Sequence, residues 1–188
     1  MTAVPSDEDL MDRYCAGDAA AFSALFRRYV RRLVRFVTPY VGPAQAEDCV
    51  QQTFLKVHTA RGSFRVGARV APWLFAIARH QALDHLRSAP RRREIHDGDD
   101  HAGRVAVDGP VRDPRLDAAV RAAIATLPDD QRDVVALHWL GGLSFPEVAH
   151  VVGATHEAVR ARATRAYTTL RPRLGPLAIE LQLPGGPA

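Results

Sequence analysis

Leu143–Leu174 reads LSFPEVAHVVGATHEAVRARATRAYTTLRPRL. Ser144 and Glu147 stand three apart at the head of this stretch. That is the spacing of a capping box, in which two side chains take up orphan amides at a helix start. Val148, Ala149 and Val152 supply an inward face. Gly153 suits the left-handed residue that closes a helix, and Thr155 suits the next N-cap. The second helix puts Val159, Ala163, Ala166, Tyr167 and Leu170 on one buried stripe. His156, Glu157, Arg160, Ala161 and Thr164 then face outward, with Arg162 and Arg165 on the flank. Arg160, Arg162, Arg165, Arg171 and Arg173 are set against one acid, Glu157. Two short helices around a glycine turn, the second arginine-rich, make a helix-turn-helix, whose second helix enters a DNA major groove. An ordinary hairpin with a solvated arginine face would share the apolar stripe. The caps, the glycine and the concentrated charge together favour DNA.

Two helices lead into this motif. Leu116, Val120, Ala123, Ile124 and Leu127 fit one amphipathic helix. Pro128-Asp129 starts another, carrying Val134, Val135, His138 and Trp139 and ended by Gly141-Gly142. Before them the composition changes. Residues 88–114 hold three Pro, three Gly, the run Arg91-Arg92-Arg93 and the acidic patch Asp97–Asp100, with no apolar period. Such a segment reads as a flexible, charged linker.

The first ninety residues read as helices. Asp18 can cap a helix whose apolar positions are Phe22, Leu25, Phe26, Tyr29, Leu33, Phe36, Val37 and Tyr40, steps of three and four that make one stripe. Pro39 and Gly42-Pro43 are expected to end or kink it. A second helix spans about 44–60, with Ala46, Val50, Phe54 and Val57 inward. A loop over 61–71 follows. Pro72 is expected to open a third helix at its first position, presenting Trp73, Leu74, Ile77 and Ala78. The expected architecture is all-α. It comprises a helical domain over 1–88, a linker over 89–114, a helix-turn-helix domain over 115–174, and a short Pro/Gly tail from 175.

Composition agrees with a nucleic-acid partner. The chain has 188 residues, 47% of them hydrophobic, and a net charge of +4. Of its 25 basic residues, Lys56 is the lone lysine. Arginine's planar fork donates two hydrogen bonds at once to phosphate or to guanine. A GC-rich genome would also raise the arginine count, so only arginine position carries weight. Residues 1–90 have 12 basic against 8 acidic residues, so the excess lies in the N-terminal half and, locally, in the last helix. No signal peptide or long apolar run stands out, which points to the cytoplasm and against membrane insertion. Cys15 and Cys49 are too few for a disulfide framework and are expected to be buried thiols.

Several stretches together resemble the bacterial sigma-70 family, extracytoplasmic-function (ECF) group. Leu127-Pro-Asp-Asp-Gln131-Arg132, Leu143-Ser-Phe-Pro-Glu147-Val-Ala149 and Ala158-Val159-Arg160-Ala-Arg162-Ala-Thr-Arg165-Ala166 resemble its region 4. Ala46-Glu47-Asp48-Cys-Val50-Gln51-Gln-Thr-Phe54-Leu55 resembles its polymerase-binding helix in region 2. Pro72-Trp73-Leu74-Phe-Ala-Ile77-Ala78-Arg79 resembles the helix that opens and reads the −10 element. His80 stands where the family usually has Asn, and Gln52 where Glu is common. The resemblance covers about residues 9–88 and 115–174.

It implies a sigma factor that binds core RNA polymerase and directs it to promoter DNA, under control of an anti-sigma factor. The −35 element would meet Thr155, His156, Glu157, Arg160, Ala161, Arg162, Thr164 and Arg165. Asp48, Gln51, Gln52, Phe54 and Lys56 would dock on polymerase. The melted −10 strand needs base pockets and cations for its phosphates. Arg61, Arg65 and Arg69 in a glycine-containing loop, beside Trp73, Arg79 and His80, suit that task. No phosphate-binding glycine loop, catalytic triad or cysteine pair at zinc spacing is present, so neither an enzyme nor a cofactor is expected. His96, Asp97, Asp99, Asp100 and His101 could ligate a metal but read better as a solvated linker. The rival reading is a helix-turn-helix activator or repressor with a helical sensor domain. It requires a ligand pocket or dimer interface in residues 1–90 and operator binding without polymerase.

Overall fold

The computed structural model describes residues 4–93 and 114–175, which form two compact all-helical units. Residues 1–3, 94–113 (most of the expected 89–114 linker) and 176–188 lie outside the described residues. The first unit contains α1 (Asp7–Cys15), α2 (Ala19–Val41), α3 (Pro43–Ala60), a 3₁₀ turn (Arg61–Ser63) and α4 (Val70–Arg93). The second contains α5 (Pro114–Ala125), α6 (Asp129–Val135) running into a π turn (Ala136–Leu140), α7 (Phe145–Val152) and α8 (His156–Leu174).

α2 is the centre of the first unit and packs on α1, α3 and α4. Asp18 caps it, accepting from the amides of Ala20 (2.8 Å) and Ala21 (3.2 Å). Leu25, Tyr29, Leu33, Phe36, Val37 and Tyr40 are buried as the spacing requires. Phe36 and Phe75 meet edge-on at 5.3 Å, joining α2 to α4. The buried line of α4 is Val70, Leu74, Phe75, Ala78 and Ala82, whereas Trp73 and Ile77 are half-buried.

α2 runs through Pro39 and ends at Gly42-Pro43, one of the two breaks expected. Three local expectations are corrected. α4 starts at Val70, so Pro72 occupies its third position rather than its first. Amides throughout the first turn lack a partner within the helix, so a proline there costs no bond. α4 also continues past Ser88 to Arg93, beyond the expected domain edge. Cys49 is buried, but Cys15, the last residue of α1, is exposed. Partial desolvation and the adjacent Asp12 push the Cys15 thiol up, away from a reactive thiolate.

In the second unit Val120, Ile124, Leu127, Val134, Val135, Leu137, Leu143 and Val148 form a core with the inner stripe of α8. The π turn shifts the register after Val135, through the Gly141 amide's bond to the Ala136 carbonyl at 2.8 Å. His138 and Trp139, within that turn, are half-buried. Val152 is half-buried as well.

Candidate nucleic-acid and protein interfaces

The helix-turn-helix forms as its local signals dictate. The Ser144 amide donates to Glu147 Oε2 at 2.9 Å, and its hydroxyl donates to the same oxygen at 2.7 Å. Gly153 adopts φ 65°, ψ 40°, the left-handed conformation that a side chain would oppose. Thr155 Oγ1 accepts from the Ala158 amide at 3.2 Å and starts α8. A feature the sequence reading lacked fixes the approach to α7. His138 Nδ1–H donates to the Leu143 carbonyl at 2.7 Å, and its ring stacks on Phe145 at 4.3 Å. A wide π turn brings that ring within reach.

On α8 the buried stripe is Val159, Ala163, Ala166, Tyr167, Leu170 and Leu174. Thr155, His156, Glu157, Arg160, Ala161, Thr164 and Arg165 are exposed. Among the described residues the Arg160 and Arg165 guanidinia have no partner. Arg162 differs: it is half-buried, and its Nε lies 3.4 Å from Asp130 of α6. It braces α8 on α6 as well as flanking the exposed face.

On α3 the outer face holds Asp48, half-buried, and Gln51, Gln52 and Lys56, all exposed. Leu55 sits among them and is 60% exposed, an apolar residue the sequence reading did not assign to this face. Its spacing, seven after Asp48 and four after Gln51, was the available signal. Phe54 points the other way. It packs against Phe26 at 4.6 Å and edge-on against Phe22 at 6.0 Å, so it supports the helix rather than its surface.

The loop before α4 brings Arg65 and Arg69 to its ends. The Ala68 amide bonds to the Arg65 carbonyl at 3.0 Å, closing a tight turn. Gly67 has φ 79° at the third position of that turn, where positive φ selects glycine. Val66 at the tip is 84% exposed. Phe64 is buried and meets Trp73 edge-on at 5.1 Å, which anchors the near end. Arg69 Nε lies 3.3 Å from Glu8 of α1. Arg61 is drawn back. It donates to the His58 carbonyl at 2.7 Å and lies over the Tyr14 ring, leaving it set apart from the turn. Further along α4, Arg79 is half-buried and His80 is exposed, with Nε2 3.0 Å from Asp84. Arg87 reaches the same carboxylate at 3.2 Å.

Among the described residues no group of three or more His, Cys, Asp or Glu is placed to hold a metal. His96, Asp97, Asp99, Asp100 and His101 lie outside them. No helix among the described residues is long and apolar enough to cross a membrane.

Residues 25–92 match Sigma-70 region 2, and residues 123–172 match Sigma-70, region 4. The RNA polymerase sigma factor CarQ of Myxococcus xanthus is 36% identical over 172 residues, covering 91% of this chain and 99% of CarQ. The ECF RNA polymerase sigma-E factor of Escherichia coli (strain K12) is 30% identical, covering 92% of this chain and 96% of its own. The chain belongs to the ECF group of sigma-70 factors. The fold of this sigma factor is also similar to that of the sigma factor RpoE in its co-crystal structure with the anti-sigma factor NepR from Bartonella quintana. That likeness has a TM-score of 0.62 and 25% identity, over 81% of this chain and 96% of the other. The matched region 2 contains α3, the loop and most of α4. The matched region 4 contains the helix-turn-helix.

Proposed function

We propose that this ECF sigma factor divides promoter recognition between its two units. The outer face of α3, with Asp48, Gln51, Gln52, Leu55 and Lys56, docks on core RNA polymerase, and Phe54 holds that helix from beneath. α8 enters the major groove of the −35 element, with Arg160 toward base edges and Arg165 toward phosphates. The turn from Arg65 to Arg69, with Trp73, Arg79 and His80 along α4, takes the melted −10 strand. A solvent-facing turn with arginines at both ends can bend around an extruded base while neutralising its phosphates.

The observation that carries this reading is the pairing, in one chain, of a capped recognition helix with uncommitted arginines and a docking helix exposing Leu55 amid polar residues. The protein then works in the cytoplasm with polymerase and promoter DNA, has no chemistry or cofactor of its own, and is held inactive by an anti-sigma factor. Support for that last partner is the anti-sigma bound to the Bartonella relative. The test is co-purification with core polymerase, followed by transcription from the promoter upstream of its own gene. A stable complex that initiates there is expected. Tight operator binding with no polymerase association would favour the sensor-domain repressor instead.

A further inference from the structure

The first turn of α1 is tied to two other helices by adjacent carboxylates. Ser6 and Asp9 close a capping box at 3.0 Å in each direction, which sets the start of α1. Asp7 then faces α2. Its Oδ1 accepts from Arg28 at 2.6 Å, and its Oδ2 accepts from the Tyr29 hydroxyl at 2.5 Å. Arg28 also donates to the Pro5 carbonyl at 2.8 Å. Burial, and then the Asp7 carboxylate, push the Tyr29 hydroxyl well up, so it stays a donor. These bonds fix α1 to the central helix of the unit.

Glu8, the next residue, faces α4. Its Oε1 accepts from the Val70 amide at 3.3 Å and lies 3.3 Å from Arg69 Nε. Val70 is the first residue of α4, and its side chain is fully buried. Its amide has no carbonyl partner within the helix, because helix starts leave their first amides orphaned. A carboxylate at that point satisfies the amide and complements the positive end of the helix dipole. Glu8 thus acts as the cap of a helix that begins 62 residues later in the chain.

The position of that cap matters more than its strength. The turn from Arg65 to Arg69 has Phe64 locked against Trp73 at one end and Glu8 on Arg69 and Val70 at the other. Between them the turn projects into solvent. The Arg69 side chain is 73% exposed, so its pair with Glu8 is weak and a phosphate can displace it. The amide bond to Val70 would remain. We infer that Glu8 is a positioning residue for −10 strand capture: it sets the turn and the start of α4 before DNA arrives and yields Arg69 to the strand. This role rests on the proposed assignment of the turn to the melted strand.

The test uses the full chain assembled with core polymerase. Glu8→Ala removes both contacts. Glu8→Gln keeps an acceptor for the Val70 amide but removes the ion pair with Arg69. Arg65→Ala serves as the probe of the turn itself. Opening is read by permanganate reactivity of unpaired −10 thymines, and discrimination by the ratio of opening on promoters with and without a substituted −10 base. Glu8→Ala should lower opening roughly three- to tenfold, on the scale of a lost cap, and flatten that ratio. Polymerase co-purification and −35 duplex binding should stay near wild type. Glu8→Gln should recover most of the ratio. If Arg65→Ala impairs opening while Glu8→Ala is normal, Glu8 has no such role and the turn assignment stands. If Glu8→Ala loses polymerase binding and helical content together, the residue is only structural and the inference fails. If Arg65→Ala opens promoters normally, the turn assignment falls, and the inference falls with it.

Discussion

Arg160 and Arg165 on α8 project into solvent with no partner among the described residues, whereas two of the three arginines flanking the loop before α4 are engaged. Arg61 is held by the His58 carbonyl and Tyr14, and Arg69 by Glu8. The difference suits the roles proposed for the two surfaces, one on duplex and one on melted DNA. A duplex offers a fixed groove, so a rigid helix can present free guanidinia whose spacing is set by the buried stripe from Val159 to Leu170. A melted strand offers no fixed shape, so the protein must supply the order, through pinned turn ends and a capped helix start. The proposed region 4 surface is shaped largely by caps and a stripe near in sequence. The proposed region 2 surface depends on contacts between α1 and α4.

The largest expected effect falls on neither DNA surface, and it separates both from polymerase binding. Replacing Asp48 and Gln51 together with Arg places two cations on the proposed docking face beside Leu55. Co-purification with core polymerase should fall by about tenfold or more, because introduced charge at a contact face is strongly rejected. Circular dichroism should be unchanged, since neither side chain is in the core. Full co-purification by the folded double variant would remove α3 as the docking helix.

Arg160→Ala sharpens the rigid-face half of the comparison. It should weaken −35 duplex binding by about 1–3 kcal/mol and relax preference at one base pair, if the arginine makes a paired contact to a base edge. Arg165→Ala should weaken binding evenly across sequences and reduce the slope of log affinity against log salt by about one. Titration of fluorescent duplexes at several salt concentrations separates the two. Equal, sequence-independent losses would mean that α8 lies on the backbone and reads no base.

A smaller effect is expected from Ser144→Ala, which removes half of the box that starts α7. A cost of about 0.5–2 kcal/mol is expected, as for other N-caps. Hydrogen exchange should show faster amides in α7, with α2 and α3 unchanged. Acceleration in both units would show that the caps of the helix-turn-helix are not local in their effect.

The comparison also explains what could be read from sequence. The caps at Asp18, Ser144 and Thr155, the left-handed Gly153, and the stripes of α2, α3 and α8 were all legible. Each depends on residues within a turn or two of one another. The missed features depend on tertiary contacts. Leu55 shares its spacing with Asp48 and Gln51, and the packing of Phe54 on Phe22 and Phe26 confirms that it lies outside. Glu8 carries no local sign of its bond to Val70. The π turn over Ala136–Leu140 has no sign in the spacing of its residues. Arg61 and Arg65 look equivalent in a basic loop, and it is Tyr14 and the His58 carbonyl that separate them.

The central claim is that the turn before α4 handles the melted strand while α8 handles the duplex. Permanganate footprinting of −10 thymines on a linear duplex promoter tests it most directly, with Arg65 and Arg69 both changed to Ala. Polymerase binding and −35 contacts should be retained and thymine reactivity largely lost. Restored function on a template with a pre-melted −10 bubble would assign the turn to strand opening, and a persistent defect would assign it to reading the unpaired base. Wild-type reactivity in the double variant on linear duplex would contradict the claim and leave the turn as a mere connection between α3 and α4.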